Sequence, residues 1–428
     1  MVTATGINSN RLVTENSFRA VRFMPCFILP AMLDCRPPRL LTDRNPPASP
    51  LAGLCLTAAL FLVSPRDAQA ESAATYKFQE YREANGRIAV QSQSALIEQT
   101  LGTDTRLKIT GVIDAISGAT PTGQPATTPG GEVPVAEISD RRKAVSAELS
   151  RQFSPVNVAL GYANSRENDY ISNGWSLNTL TDFNEKNTTL LAGIAGTNDD
   201  VKVQYQPKWA KKRTNDLVVG VTQLIDPRTT VSFDVTWGRA TGYLSDPYKI
   251  VQKRTEVNPG DFLNLQFLEN RPNERNKWTA VALLNRAYPD WHGAVEASYR
   301  FYHDTFGTDA STLEISWFQR IGKNFILKPE LRFHDQSSAN FYYYQIDQTS
   351  IVPLSGPPTA RAPFYSSDYR LSALRTFTYG LKAVWTISDH AQMDVAYEQY
   401  DMRGRDGVTA ASAYPRASIV TLGLKISW

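Results

Sequence analysis

The chain has 428 residues, with 45 Lys and Arg against 42 Asp and Glu and a formal net charge of +3. The first 70 residues hold seven of the basic and four of the acidic residues, which leaves 38 of each beyond Ala70 and no basic surplus of the kind a nucleic-acid binder carries. All three cysteines, Cys26, Cys35 and Cys55, also lie in that stretch, so disulfides and thiolate metal sites are excluded from Glu71 onward.

In chain order, the first element is an export signal. Arg36, Arg39 and Arg44 precede the apolar run Leu51–Val63, which leads to Ala68-Gln69-Ala70. A basic region, an apolar region and a small-x-small site in that order predict cleavage before Glu71. The run is too short for a permanent spanning helix, which needs about 20 apolar residues. Residues 1–31 precede a signal of normal length, so translation is expected to start at Met24 or Met32. Leu54 stands where a lipid-anchor motif at Cys55 needs a small residue, so no lipid anchor is expected. The domain reading is therefore an extension plus signal over 1–70 and a single domain over 71–428.

Beyond Glu71 a two-residue period dominates. Val231, Phe233, Val235 and Trp237 alternate with Ser232, Asp234 and Thr236, and the pattern recurs over Leu313–Trp317 and Phe377–Trp385. The last residues repeat it: Val420, Leu422, Leu424, Ile426 and Trp428 share one face, with Thr421, Gly423, Lys425 and Ser427 on the other. A soluble sheet with one wet face alternates in the same way. The polar sets favour a membrane barrel instead. Glu296 and Arg300, and Lys328, Glu330, Arg332 and His334, fall on one face of their segments, which suits a polar lumen behind an apolar outer wall. Leu424, Ile426 and Trp428 form a terminal strand of the sort that outer-membrane barrels present to their assembly machinery.

Turn chemistry gives the topology. Compact breakers stand at Gly102–Thr105, Ser154-Pro155, Asn184–Asn187, Asp226–Thr229, Tyr288–Asp290, Gly322–Asn324 and Ser388–His390. Longer polar stretches lie between them, around 117–142, 167–173, 197–213, 243–274, 304–309, 336–369 and 403–414. Short and longer connections thus alternate, as periplasmic turns and external loops do in such barrels. Because the last strand descends, counting back makes the strand from Gly86 to Gln99 descend too, so an ascending strand must precede it at Tyr76–Arg82. The expectation is an all-β transmembrane antiparallel barrel of about 16 strands, with 14 or 18 as alternatives.

Several phrases in the first half of this domain are more specific. Gly86-Arg87-Ile88, Val112–Pro121, Ile138–Arg142, Ser165–Tyr170 and Asp182–Thr189 resemble a family of exported bacterial proteins catalogued as domain of unknown function 3570. The resemblance implies an outer-membrane barrel and supplies no reaction, substrate or site residue. Read physically, the phrases place Asp114 or Asp140 where either can tie to Arg141 or Arg142 at a strand end. The Gly-rich stretch Gly118–Gly131 lacks the Lys-Ser/Thr ending of a phosphate cradle. Arg166, Glu167, Asp169 and Tyr170, followed by Asp182, Asn184 and Glu185, form the densest polar group. Their spacing matches no cation motif, and they fall at opposite ends of one strand.

No catalytic, cofactor or metal residues are assigned. Of the four histidines, His292 and His390 lie at short turns, while His303 and His334 lie near loop ends. His334 and Ser338 would stand about 13 Å apart in a continuing strand, too far for a nucleophile and its base. The aromatic run Phe341–Tyr344 and Trp209, Tyr243 and Tyr248 are expected to join an interfacial girdle. The functional expectation is an outer-membrane pore or conduit for small solutes. A barrel that binds a periplasmic partner is the alternative, and an outer-membrane hydrolase is a distant third. Membrane lipid and the assembly machinery are the expected partners, and nucleic acid is not.

Overall fold

The computed structural model describes residues 72–428 except 129, 204, 205, 348 and 360. The expected signal, the cysteines and the cleavage point before Glu71 lie outside the described residues. Among the described residues the regular structure is strand, with short 3-10 turns between strands, and no helix is long and apolar enough to cross a membrane.

The strands are β1 (Ala73–Glu83), β2 (Ala89–Leu101), β3 (Thr105–Pro121), β4 (Val135–Phe153), β5 (Val156–Arg166) and β6 (Tyr170–Phe183). They continue as β7 (Thr188–Val201), β8 (Ala210–Asp226), β9 (Thr229–Gly242), β10 (Ile250–Asn258), β11 (Asp261–Leu268) and β12 (Glu274–Tyr288). The last six are β13 (Gly293–Asp304), β14 (Asp309–Ile321), β15 (Phe325–Gln336), β16 (Leu374–Ser388), β17 (Ala391–Gly404) and β18 (Arg416–Ser427). Sixteen of them pair antiparallel with their neighbours into one closed barrel, and β10 and β11 form a separate hairpin within the connection from β9 to β12.

Closure is made by the first and last barrel strands. β1 pairs with β18 from Ala73 opposite Ser427 to Glu83 opposite Ala417, and backbone bonds between Ser72 and Trp428 extend the seam. The expected first strand exists and is longer than the segment Tyr76–Arg82. Every compact breaker is a tight hairpin, and every longer stretch is a connection at the opposite end.

The loops are shorter than their polarity suggested. β3 runs to Pro121 and β4 begins at Val135, and β7 and β8 reach Val201 and Ala210. Alternation of polarity stops where both faces meet polar surroundings, whereas backbone pairing does not depend on side-chain polarity and continues. Gly118 marks such an extension: its φ is +118°, and a side chain there would collide with the carbonyl of Arg87 in the segment leading into β2.

The outer wall is apolar. Leu217 and Val219 on β8, Phe233, Val235 and Trp237 on β9 and Leu313 and Ile315 on β14 are large and exposed, as lipid-facing rows require. Aromatics gather near the short-turn end, where Tyr288 stacks on Trp291 at 5.4 Å and Phe325 on Trp385 at 5.9 Å. Amphipathic rings of this kind suit a membrane–water boundary.

Candidate functional site

The inner wall is built from the residues that alternate with these apolar rows. Side chains converge on the concave face of a barrel, so some inner positions must be empty for others to meet. Gly238 on β9 illustrates this: a Cβ there would meet Asp216 Oδ1 of β8 and Lys277 Cε of β12, which pair across it at 4.0 Å. Gly380 on β16 leaves the same room between Glu330 and Glu398. Further pairs are Lys108–Glu148 at 3.6 Å, Lys328–Glu330 at 3.0 Å and Lys382–Asp394 at 3.3 Å. Opposite charges along this wall keep it polar without a strong field of either sign.

The residues singled out from the sequence are placed as follows. Glu296 and Arg300 alternate with the exposed Tyr299 and Phe301 on β13, and Lys328, Glu330, Arg332 and His334 alternate with Leu331 and Phe333 on β15. Arg300 lies over the Tyr302 ring at 5.6 Å. His334 is held by Thr312 at 2.8 Å and Gln336 at 3.3 Å. His303 packs on Trp278 at 5.6 Å, bonds Asp309 at 2.7 Å and belongs to the opposite face. Ser337 donates to the Gly307 carbonyl and accepts from the Asp309 amide, and among the described residues the hydrogen bonds of these two imidazoles go to Asp309, Thr312 and Gln336 rather than to a serine. Leu424, Ile426 and Trp428 stand exposed on the outer row of the seam strand.

At the other end of the scale of burial is a cap of loops. Asp246 and Lys249 come from the connection before β10, Glu269 and Arg271 from the one after β11, and Asp368 and Arg370 from the β15–β16 connection. Arg271 bridges Glu269 at 2.6 Å and Asp368 at 2.9 Å, and Arg370 bridges Asp368 at 2.6 Å and Asp246 at 2.8 Å. Lys249 donates to the Pro121 carbonyl, and Ser366 donates to Glu269 at 2.5 Å. Three carboxylates and three cations are thus buried together, a costly arrangement unless every member is paired. The neighbouring cations hold the Asp368 carboxyl well below the usual carboxylate range despite burial, whereas burial lifts Glu269 to about 7 against the pull of Arg271.

Small apolar clusters weld further loops to this knot. Val133, Tyr369, Leu374, Ala413 and Tyr414 form one, and Phe306, Ala339, Phe341 and Leu371 another. Arg87 donates to the Ser412 carbonyl at 2.8 Å, and Tyr344 accepts from the Ala126 amide at 3.0 Å. The run Phe341–Tyr344 therefore corrects the girdle expectation: Phe341 is buried against Phe306, and the tyrosines tie loops together. Polarity around these aromatics resembled an exposed loop in sequence because the packing partners come from distant connections.

The dense acidic group is also rearranged. Asp182 bonds Thr189 at 2.7 Å at the short-turn end, away from Glu167 and Asp169. The third carboxylate beside those two is Asp140 of β4, and the three offer oxygens within 4.8 Å of one another. Arg142 ties to Asp114 at 2.6 Å, while Asp140 accepts from Asn168 at 2.6 Å. Sequence spacing could not reveal Asp140, since it stands 27 positions and a strand turn before Glu167.

The family described as protein of unknown function (DUF3570) matches residues 51–210 and 204–415. The chain belongs to this family. No functionally curated protein is similar to this DUF3570 member in sequence. Among solved structures, the siderophore receptor PirA from Pseudomonas aeruginosa is similar at 11% identity and a TM-score of 0.39, over 84% of this chain and 62% of that one. A bacterial polysaccharide outer membrane secretin is similar at 9% identity and a TM-score of 0.45, over 85% of this chain and 100% of that one. OmpT of Vibrio cholerae with loop L8 deleted is similar at 7% identity and 0.40, over 83% and 98%. The DUF3570 chain spans about three fifths of the siderophore receptor's length.

Proposed function

We propose that this DUF3570 protein is an integral outer-membrane conduit for small solutes, closed at its external mouth by its own loops. The observation that carries this reading is the pairing of an apolar outer wall with an inner wall of opposed charges, such as Lys277 with Asp216 across Gly238. Hydrocarbon outside calls for lipid, and charge inside calls for water. Glu296, Arg300, Lys328, Glu330, Arg332 and His334 then line the bore. The buried knot of Asp246, Lys249, Glu269, Arg271, Asp368 and Arg370 holds the mouth shut until the loops part. Export by a signal cleaved before Glu71, and insertion through the β18 end at Leu424, Ile426 and Trp428, belong to the same reading.

Single-channel recording in planar bilayers tests it. Wild type is expected to conduct rarely, and Arg271→Ala, which strands Glu269 and Asp368, to open the cap and raise conductance severalfold. Removing one partner of a buried ion pair costs about 3–5 kcal/mol, enough to shift a loop equilibrium. Silence of both proteins, each folded by heat-modifiability, would overturn the conduit.

A second reading, a partner-binding barrel, is favoured by one feature. The β10–β11 hairpin exposes Val257, Phe262 and Leu263, at 57%, 48% and 50% of their surface, beyond the cap. Lack of any stoichiometric partner after mild extraction from its host would count against it.

A further inference from the structure

We propose that Asp140, Glu167 and Asp169 form a binding site for a hard divalent cation, of which Ca2+ is the best fit. The site lies at the loop end of the barrel and is independent of whether the lumen conducts. Asp140 comes from β4, and Glu167 and Asp169 from the tight connection between β5 and β6. That connection is held by backbone bonds from the Glu167 amide to the Tyr170 carbonyl at 2.8 Å and from the Lys202 amide to the Asp169 carbonyl at 2.8 Å.

The three ligand oxygens lie within 4.8 Å of one another. Two oxygens bound to one Ca2+ at its usual contact distance can stand at most about 5 Å apart, so a single ion can reach all three without moving the backbone. The donors are all oxygen, which favours Ca2+ over metals that seek nitrogen or sulfur.

An independent observation points to a missing ligand. Asp169 is only 9% exposed, and its Oδ1 is buried with no hydrogen-bond partner, although Oδ2 accepts from the Tyr248 hydroxyl. A buried carboxylate oxygen left unsatisfied is costly. No lysine or arginine nitrogen pairs with any of the three carboxylates among the described residues: Arg142 is engaged by Asp114. A bound cation supplies a partner for that Asp169 oxygen. It would also join β4 and the β5–β6 connection to Tyr248 of the cap.

Calorimetric titration of the full barrel in detergent, stripped with chelator, with Ca2+ alone is the test. The expected result is one ion per chain, with affinity at least about tenfold weaker in Asp169→Asn and in Glu167→Gln, because affinity follows ligand charge. Asp182→Asn, at the far end of β6, should bind as wild type. Neutralising one of three clustered carboxylates relieves repulsion, so both test variants should fold, as heat-modifiability would verify. Absence of Ca2+ binding by wild type overturns the site, as does equal binding by all the variants.

Discussion

At the scale of single residues, the molecule uses charge in two ways. Lys382 and Asp394, or Lys277 and Asp216, pair in half-buried settings, and such pairs contribute little to stability. The cap residues are different, because Glu269, Arg271, Asp368 and Arg370 depend on one another. Their titration gives a pH prediction with two opposite signs. Glu269 has a folded pKa raised to about 7, so its contribution is fullest below the ordinary glutamate value and is lost as pH rises through about 7. Asp368 has a folded pKa depressed by Arg370, Arg271 and Lys249, so its contribution persists above the ordinary aspartate value and is lost only in strong acid. The cap is therefore expected to be tightest in mildly acidic solution and to loosen toward pH 8. Hydrogen exchange around Tyr365 and Asn270, corrected for intrinsic rates, checks this. Protection that is flat or rises from pH 5 to pH 8 would contradict it.

At the scale of elements, each barrel strand is one apolar row and one polar row set a residue apart. β16 puts Leu381 on the exposed row at mid-strand and Lys382 on the inner row beside Asp394. Leu381→Arg should cost about 2–4 kcal/mol in lipid vesicles, the penalty of a charge at the bilayer midplane. Lys382→Met, one residue on, should cost less than about 1 kcal/mol, since it removes a weak, partly wet ion pair. Urea unfolding from vesicles measures both, and equal costs would mean the two faces are not lipid and water. Such strands were readable because the pattern has period two and each row keeps one kind of solvent along its length. Boundaries were less readable: Thr197–Val201 and Val135–Asp140 are strand although their polarity reads as loop. The β10–β11 hairpin was missed within the polar stretch 243–274, since Phe262, Leu263 and Leu265 lie in a continuously exposed segment rather than on one buried face.

At the scale of the whole molecule, the first and last barrel strands close the sheet on itself. β1 and β18 pair directly with each other, so the seam requires both the first and the last barrel strand. If the signal is cleaved as proposed, the mature chain from outer membranes should begin at Glu71, two residues before β1. Intact-mass measurement decides this, and a mature protein retaining Leu51–Val63 would contradict it. The sequence by itself determined an antiparallel barrel of about 16 strands, two alternating rows along each of those strands and the alternation of short and long connections. Those features are local, repeating every second residue and punctuated by turn chemistry. Only the tertiary structure decided that Phe341 and the tyrosines after it pack within a cap, that six charged residues from distant connections share one buried knot, and that Asp140 joins Glu167 and Asp169. Such contacts are set by where barrel closure brings the loop ends, and no local pattern records which distant loop a side chain will meet.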